Sequence, residues 1–454
     1  MGNFDRRQFL KVTAAAGALV ISSPSFSFAQ NGSKDRYRNL DTNLGFYLKI
    51  DTNNMVTIGY SVPDDGTGVN TALPMLVAEE LDVDFDNVNV EKLPPLYKEN
   101  DGSNPRGGDA PYINQTYKGH PIHQSTGGSQ SIRRSYEMLR MAGAEARERL
   151  KQAAADDLGV NISSLNTDNG YVISGNQKIS YGSLVEKAAI VTLTAEPKLK
   201  SPDEYKVIGT DQPQKVAGDI AIGAQKYVMD MELPGMLNAV IARCPHADGL
   251  VKSYDDTEAL KVPGVRHVVR VNRIPEDINE QKYIADGVAV IADSHWAALK
   301  GREALEIEWD KGRWADVDNA WIDRNFDKVI VEGKTNVRLE HGDFDKAFAE
   351  ADKTLEVAYD QPYWAHATME TPCGIVNVKS DKVTVIAGNQ TAVRVMNDLM
   401  RVLPGYTHDQ FDVTLMRLGS GFGRKFIVDA CTEAAVLSKA VGKPIKVIWT
   451  REDD

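Results

Sequence analysis

Cysteine is scarce in this 454-residue chain: Cys244, Cys373 and Cys431 are far apart and odd in number. That excludes a disulfide framework and any paired-cysteine metal or iron-sulfur site. No Cys-x-x-Cys-His haem-attachment pattern occurs either. A basic excess is also missing. The formal net charge is -12, with acidic residues spread along the chain rather than gathered in a tail, which argues against binding of nucleic acid or other polyanions. Two nucleotide signatures fail by spacing in the glycine-rich stretch RLGSGFGRKF, Arg417 to Phe426. A P-loop needs Gly-Lys-Ser/Thr, but Lys425 follows Arg424 and precedes Phe426, and the dinucleotide fingerprint needs a third glycine where Arg424 stands.

The apolar fraction of 42% and charged fraction of 26% are those of a soluble globular protein, and the length calls for two or three domains. The N-terminus carries an address. DRRQFLKVTAAAGALVISSPSFSFAQ pairs Arg6 with Arg7, continues through Phe9-Leu10-Lys11 into an apolar stretch too short to span a bilayer comfortably, and sets small residues Ser27 and Ala29 before Gln30. It reads as a twin-arginine signal over residues 1–29, the bland alternative being a helix that happens to carry two arginines. That route exports proteins already folded. It implies a periplasmic protein built around a bulky cofactor, with no membrane span in the mature chain.

Strand and helix patterns alternate from there on. Leu44 to Tyr60 reads as a hairpin turning at Asp51–Asn54. DDGTGVNTALPMLVAEEL follows, its Leu73, Leu76, Val77 and Leu81 on one helical face behind a loop with Gly66 and Gly68. After a strand in NVNVEKL, STGGSQSIRRSYEMLRMAGAEARERLKQAA predicts a second helix. Its apolar positions are Ile132, Tyr136, Leu139 and Leu150, with Arg and Glu on the other side. A small turn-rich segment runs from Asp157 to about Pro202, and a strand-rich unit from about Ile208 to Asp310. Ala315 to Asp345 reads as a linker or surface excursion. The last region offers strand-turn-helix around AGNQTAV and strand-glycine loop-helix-strand around RLGSGFGRKF. The fold class expected is α/β, as an α+β mixture.

Free amides at a helix N-terminus, with the positive end of the helix dipole, suit anionic groups. Three loops have this form: Gly66-Thr67-Gly68; Thr126-Gly127-Gly128-Ser129-Gln130; and Gly419 to Arg424, which includes Gly421, Phe422 and Gly423. Any one alone is an ordinary tight turn. Three behind a twin-arginine signal point to one large anionic cofactor. Gln390, between strand and helix, could reach a cleft or simply cap a helix. His366 and Glu370 in WAHATMETPC stand one helical turn apart but lack further ligands at motif distance. A hydrogen-bonding role is therefore expected for them and no protein-ligated metal.

GTDQPQKVAGDIAIGAQKYVMDMELPGMLNAVIARCP resembles the a/b hammerhead domain of the xanthine dehydrogenase and aldehyde oxidase family. YWAHATMETP, GNQTAVR and RLGSGFGRKF with EAAVLSKAVGKPIKVIWTRED resemble its molybdopterin-binding domain. With TALPMLVAEEL and TGGSQSIRRSYEMLR placed before the hammerhead, the order is similar to that of the isoquinoline 1-oxidoreductase beta subunit and related periplasmic aldehyde dehydrogenases. The resemblance runs from about Leu44 to Asp454 and implies three units: a molybdopterin-binding-like segment at 30–202, the hammerhead domain at 203–312, and a first part of the molybdopterin-binding domain at 313–454. It further implies a molybdenum hydroxylase large subunit that oxidises an aldehyde or N-heteroaromatic compound. Its cofactor would be a molybdopterin, in the cytosine dinucleotide form, and its partners a small [2Fe-2S] subunit and a c-type cytochrome. By position Gly421, Phe422 and Gly423 would line the pterin and metal. Arg424 would offset phosphate charge, Gln390 would lie beside an oxo ligand, and Thr126 to Ser131 would meet the phosphate or nucleotide end.

Two departures stand out. The family has Gly-Gln-Gly where this chain has Gly66-Thr67-Gly68, and the glutamate that serves as general base sits in a Gly-x-Gly-Glu motif that does not occur here. No catalytic residue is therefore assigned. The chain is expected to be a fragment, or to be completed by another chain. The competing reading is a periplasmic binding or assembly protein that keeps the fold without catalysis.

Overall fold

The computed structural model describes residues 18–21, 48–93, 116–117, 120–121, 124–274, 284–333 and 336–454. Arg6, Arg7, Ser27 and Ala29 of the expected signal lie outside these. The first sheet has the order β1-β2-β3-β4, formed by β1 (Ala18–Ile21), β2 (Leu48–Asp51), β3 (Val56–Tyr60) and, after a helix, β4 (Asn89–Lys92). β2 and β3 are the expected hairpin. Leu48 pairs with Ile58, and the turn closes where Asn54 N–H donates to the Asp51 carbonyl at 3.0 Å.

Helix α1 (Val69–Leu81) starts at Gly68, whose φ of 78° is one that glycine adopts freely. Leu73, Leu76, Val77 and Leu81 are buried as the periodicity predicts, each stabilising the fold by about 1.5–3 kcal/mol. The helix is in fact covered on nearly every side. It packs against β3, β4 and the long helix α2 (Ser131–Leu158), which follows the short pair β5 (Thr116–Tyr117) and β6 (His120–Pro121). Gly143 permits the close crossing, since a Cβ there would stand 2.4 Å from the Val77 carbonyl oxygen.

The amphipathic reading of α2 needs correction. Leu139 and Leu150 are buried, but Ile132 is exposed, and Arg140, Arg147 and Arg149 are buried rather than facing water. Their partners explain it. Glu80 of α1 meets Arg140 at 2.6 Å and Arg147 at 3.2 Å. The same arginines donate to the carbonyls of Lys200 at 2.5 Å and Lys198 at 2.8 Å. Glu79 accepts the amides of Lys206, Val207 and Ile208 at 2.9, 2.6 and 2.9 Å. Buried charges thus staple the connector that leaves this unit. Between them lie a small sheet, β7 (Asn166–Asp168), β8 (Tyr171–Ser174) and β9 (Gln177–Ser180), and helix α3 (Tyr181–Ile190).

Beyond the short helix α4 (Ala217–Ala221) the chain builds a second core. Its strands are β10 (Leu237–Arg243), β12 (Val265–Val271), β13 (Gly287–Ala292), β15 (Cys373–Val378), β16 (Val383–Ala387), β17 (Phe411–Leu415) and β18 (Ile445–Ile448). They form one seven-stranded sheet of order β12-β13-β10-β18-β15-β16-β17, with β10–β18 and β16–β17 parallel. The expected hammerhead and C-terminal regions therefore share a sheet across residues 312 and 313. β13, GVAVIA, is buried at every position, as an all-apolar central strand should be. Helices α5 (His295–Glu303), α8 (Ala392–Val402) and α9 (Asp429–Val441) pack on this sheet. β11 (Leu250–Asp255) and β14 (Glu306–Asp310) pair separately. The excursion at 315–345 carries α6 (Asn319–Glu332) and leads into α7 (Phe344–Ala349), neither with a buried residue.

Because Glu80 is the shared counter-ion of two buried arginines, Glu80→Ala is expected to lower stability by about 3–5 kcal/mol. Urea denaturation monitored by far-UV circular dichroism checks this. A loss below about 1 kcal/mol would show that the network is not the staple described.

Candidate functional site

Two parallel strands, β16 and β17, end side by side, each running into a loop and then a helix, the geometry in which open α/β sheets place ligands. The loop after β16 carries Asn389 and Gln390, and the loop after β17 is the glycine stretch. The N-terminal unit supplies two more segments. Asp64, following β3, pairs with Arg417 at 2.5 Å and accepts the Gly66 amide at 2.9 Å; its carbonyl accepts the Leu418 amide at 2.9 Å. Thr126, ahead of α2, donates its hydroxyl to the Pro63 carbonyl, and Ser125 forms an antiparallel bridge with Thr391.

Gln390 ties these segments together. Its Nε2 donates to the Thr126 carbonyl at 2.8 Å and its Oε1 accepts the Gly423 amide at 3.0 Å. Its backbone N–H donates to the Lys425 carbonyl at 2.9 Å, and its carbonyl accepts the Thr126 amide at 2.8 Å. The side chain is 3% exposed. The structure therefore brings Gln390, Thr126, Gly127 and the Gly419 to Arg424 loop to one place, with the Gly66 to Gly68 loop beside it through Asp64. Gly128, Ser129 and Gln130 lead from there into α2, with Gln130 as its N-cap residue.

The glycines divide by cause. A Cβ at Gly127 would lie 2.5 Å from the Phe426 ring, one at Gly419 2.4 Å from Glu370 Cβ, and one at Gly421 2.6 Å from Gln390 Oε1. Those three are small because neighbouring segments of this chain press on them. Gly66 and Gly423 differ: both have positive φ and nothing within 4 Å of the Cβ position. Between these groups, Ser420 (φ 69°) and Phe422 (φ 51°) hold a left-handed backbone that strains a residue with a side chain by roughly 1–3 kcal/mol. Phe422 is 64% exposed. Among the described residues, the amides of Gly421 and Phe422 donate to nothing. Successive free amides in this conformation form a nest for an anion.

The third loop differs from the expected helix N-terminus. It passes first through a single turn at Arg424–Phe426, and α9 starts only at Asp429, with that acidic residue in its first turn. Arg424 is also engaged within the chain. It pairs with Asp429 at 2.7 Å and Asp454 at 2.9 Å, and lies 4.6 Å from the centre of the Trp449 ring. Although burial works against its charge, the two carboxylates raise its pKa. Trp449 is flanked again by Arg243 at 3.8 Å and donates its indole N–H to Glu433 at 2.8 Å. Thr67 is exposed, its hydroxyl turned to Asp65 at 3.0 Å.

His366 and Glu370 are not on one helix; the segment is irregular, His366 is exposed and Glu370 is buried. Glu370 pairs with buried Lys425 at 2.8 Å. Burial, reinforced by Glu370, pushes the Cys373 thiol well up, and burial pushes Cys431 up to about 12. Both sulfurs are held protonated. Among the described residues no cluster of His, Cys, Asp or Glu could hold a metal ion, and no helix is long and apolar enough to cross a membrane. The hydrogen-bonding role expected of Glu370 is observed. Sequence reasoning missed Asp64 and the pairing of Glu370 with Lys425, whose contacts join positions far apart in the chain. It also missed Asn70 in the first turn of α1, which is 1% exposed and whose Nδ2 has no hydrogen-bond partner among the described residues. Its only sequence signal was its place two residues beyond Gly68.

Residues 328–454 match the profile of the molybdopterin cofactor-binding domain. The isoquinoline 1-oxidoreductase subunit beta of Brevundimonas diminuta is 28% identical over 98% of this chain and 57% of its own length. A membrane-bound aldehyde dehydrogenase of Gluconacetobacter polyoxogenes is 27% identical over 100% of this chain and 56% of its own. The chain thus spans little more than half of these relatives. Among solved structures, quinoline 2-oxidoreductase from Pseudomonas putida 86 superposes with a TM-score of 0.40 at 19% identity, over 55% of this chain and 35% of that one.

The division of the glycines is testable by Gly421→Ala, whose new methyl is expected to force Gln390 off the loop and destabilise the chain by about 1–3 kcal/mol. Thermal unfolding and a crystal structure of the variant check this. Unchanged stability with the Gln390 bridge intact would contradict a packing cause for Gly421.

Proposed function

We propose that this chain belongs to the molybdopterin-binding xanthine dehydrogenase family and is the cofactor-cradling part of a molybdenum hydroxylase large subunit. Its residues 328–454 match the molybdopterin cofactor-binding domain, and over its length it is similar to an isoquinoline 1-oxidoreductase subunit and an aldehyde dehydrogenase. The whole enzyme oxidises an aldehyde or an N-heteroaromatic compound. The observation that carries this reading is the nest at Gly421 and Phe422, two unpaired amides in a left-handed turn beside a buried glutamine. An anionic, oxygen-rich group fits it. Gly66 and Gly423 leave open space where such a group would approach, and among the described residues the buried Nδ2 of Asn70 has no acceptor, a situation worth about 1–3 kcal/mol to whatever supplies one.

When bound, a molybdenum-pterin group supplies the two-electron centre at which oxygen from water is inserted. This chain's residues hold and orient it. The nest amides donate to its oxygens. Gln390 commits one Nε2 proton to Thr126 and keeps the second for the ligand. Thr126 to Gln130 and Gly66 to Gly68 line the path towards α2 and α1, where free first-turn amides suit the phosphates of a cytosine dinucleotide. Arg424 shapes the loop through Asp429 and Asp454 rather than offering a free charge. No residue of this chain is assigned as general base.

With three scattered cysteines this chain cannot itself hold a cysteine-bound iron-sulfur cluster. We assign electron transfer to a small [2Fe-2S] subunit and onward to a c-type cytochrome. The domain division at 30–202, 203–312 and 313–454 belongs to the same reading, the last two units joined by their common sheet.

Metal and nucleotide analysis of the full-length gene product from its native host is expected to give about one molybdenum and one pterin per chain. Folded protein with neither would overturn the reading. Periplasmic export is expected to fail when Arg6 and Arg7 are both changed to lysine, leaving the protein in the cytoplasmic fraction. Unchanged export of that variant would rule out the twin-arginine route.

A further inference from the structure

Glu370 touches both ends of the glycine loop. Its Oε2 accepts from the Gly419 amide at 3.0 Å and from Lys425 Nζ at 2.8 Å. Its Oε1 accepts the amides of Val228 at 3.0 Å and Met229 at 3.4 Å, with the Cys373 thiol at 3.5 Å. Its own N–H donates to the Gly419 carbonyl at 2.9 Å. One carboxylate thus fixes the first and the last residue of a seven-residue span. The middle, where Ser420, Phe422 and Gly423 all have positive φ, is pinned separately by Gln390. A strained backbone persists only where its surroundings over-determine it, and here those surroundings are Glu370 and Gln390. Gly419 itself is bare because its Cβ position is occupied by Glu370.

We infer that Glu370 is the positioning residue of the nest: it does not touch the cofactor, but holds Gly419 and Lys425 at the separation that leaves the Gly421 and Phe422 amides without an acceptor among the described residues. This rests on the functional reading above only for what the nest binds, not for how it is shaped. The arrangement requires a carboxylate in particular. Both oxygens accept from N–H donors, so a glutamine, with one acceptor and one NH2, must set N–H against N–H on one side whichever way its amide is turned. The same reasoning separates loop shaping from charge balance. Glu370→Gln leaves buried Lys425 without its counter-ion, whereas Glu370→Gln/Lys425→Met removes the unpaired charge and leaves the amide mismatch.

The experiment compares wild type, Glu370→Gln and the double variant of the full-length protein in three readouts: thermal midpoint, hydrogen exchange of the 419–425 amides after cofactor removal, and molybdenum per chain as isolated. Glu370→Gln is expected to lower the midpoint, speed loop exchange at least tenfold and reduce molybdenum at least tenfold. The double variant is expected to regain the midpoint but neither the loop protection nor the metal. Recovery of all three in the double variant would overturn the inference, since the carboxylate would then only neutralise Lys425. So would wild-type loop exchange in Glu370→Gln. A wild-type chain that binds no molybdenum, yet whose loop protection depends on Glu370, would sink the functional reading while supporting the positioning role.

Discussion

One buried glutamine joins three segments that lie more than 250 positions apart at the extremes. Gln390 bridges the Thr126 carbonyl and the Gly423 amide with its two ends, while its backbone bonds to Thr126 and Lys425. Without it, the segment ahead of α2 and the loop after β17 would expose unpaired polar groups to each other across a buried seam. Such groups destabilise a fold by about 1–3 kcal/mol each. The bridge therefore sets the distance between the N-terminal unit and the seven-stranded sheet at the point where the candidate site forms.

Around this bridge the molecule uses paired charge where a core would ordinarily use apolar packing. Asp64 with Arg417, Glu370 with Lys425, Arg243 with Glu433 and Arg424 with Asp429 all lie largely out of water. Arg424 keeps a second carboxylate in Asp454. Removing Arg417 or Lys425, by contrast, strips Asp64 or Glu370 of its paired cation, so these contacts are all-or-none in a way that apolar contacts are not. That suits a surface which holds amides in a strained turn. The same device recurs at Glu79 and Glu80, where two carboxylates fasten a connector instead of a loop.

Elements with strong local signals were legible in the sequence: the hairpin at Asp51–Asn54, the helix behind Gly68, and the strand-loop-helix units around Gln390 and the glycine stretch. The three glycine loops of the candidate site were legible as glycine clusters, but the reasons for the individual glycines were not. Gly127, Gly419 and Gly421 answer to Phe426, Glu370 and Gln390, residues that only the tertiary fold brings near. The arginines of α2 read as a solvated face because their partners, Glu80 and the carbonyls of Lys198 and Lys200, come from other segments. The partners of Arg424 were not legible for the same reason, since Asp429, Asp454 and Trp449 close around it only after folding. The single sheet shared by the regions on either side of residue 312 also rests on long-range pairing, β10 against β18, which no periodicity reports.

The position of the metal is the most direct test of a cradle built around Gln390. Anomalous diffraction at the molybdenum edge, from crystals of the full-length protein with its native cofactor, locates it. The expected result is a single peak against the turn formed by Gly421, Phe422 and Gly423, with Gln390 as the nearest buried side chain and the Thr126–Gly423 bridge intact. A peak elsewhere in the molecule, or a holoprotein in which Gln390 no longer joins those two segments, would contradict it.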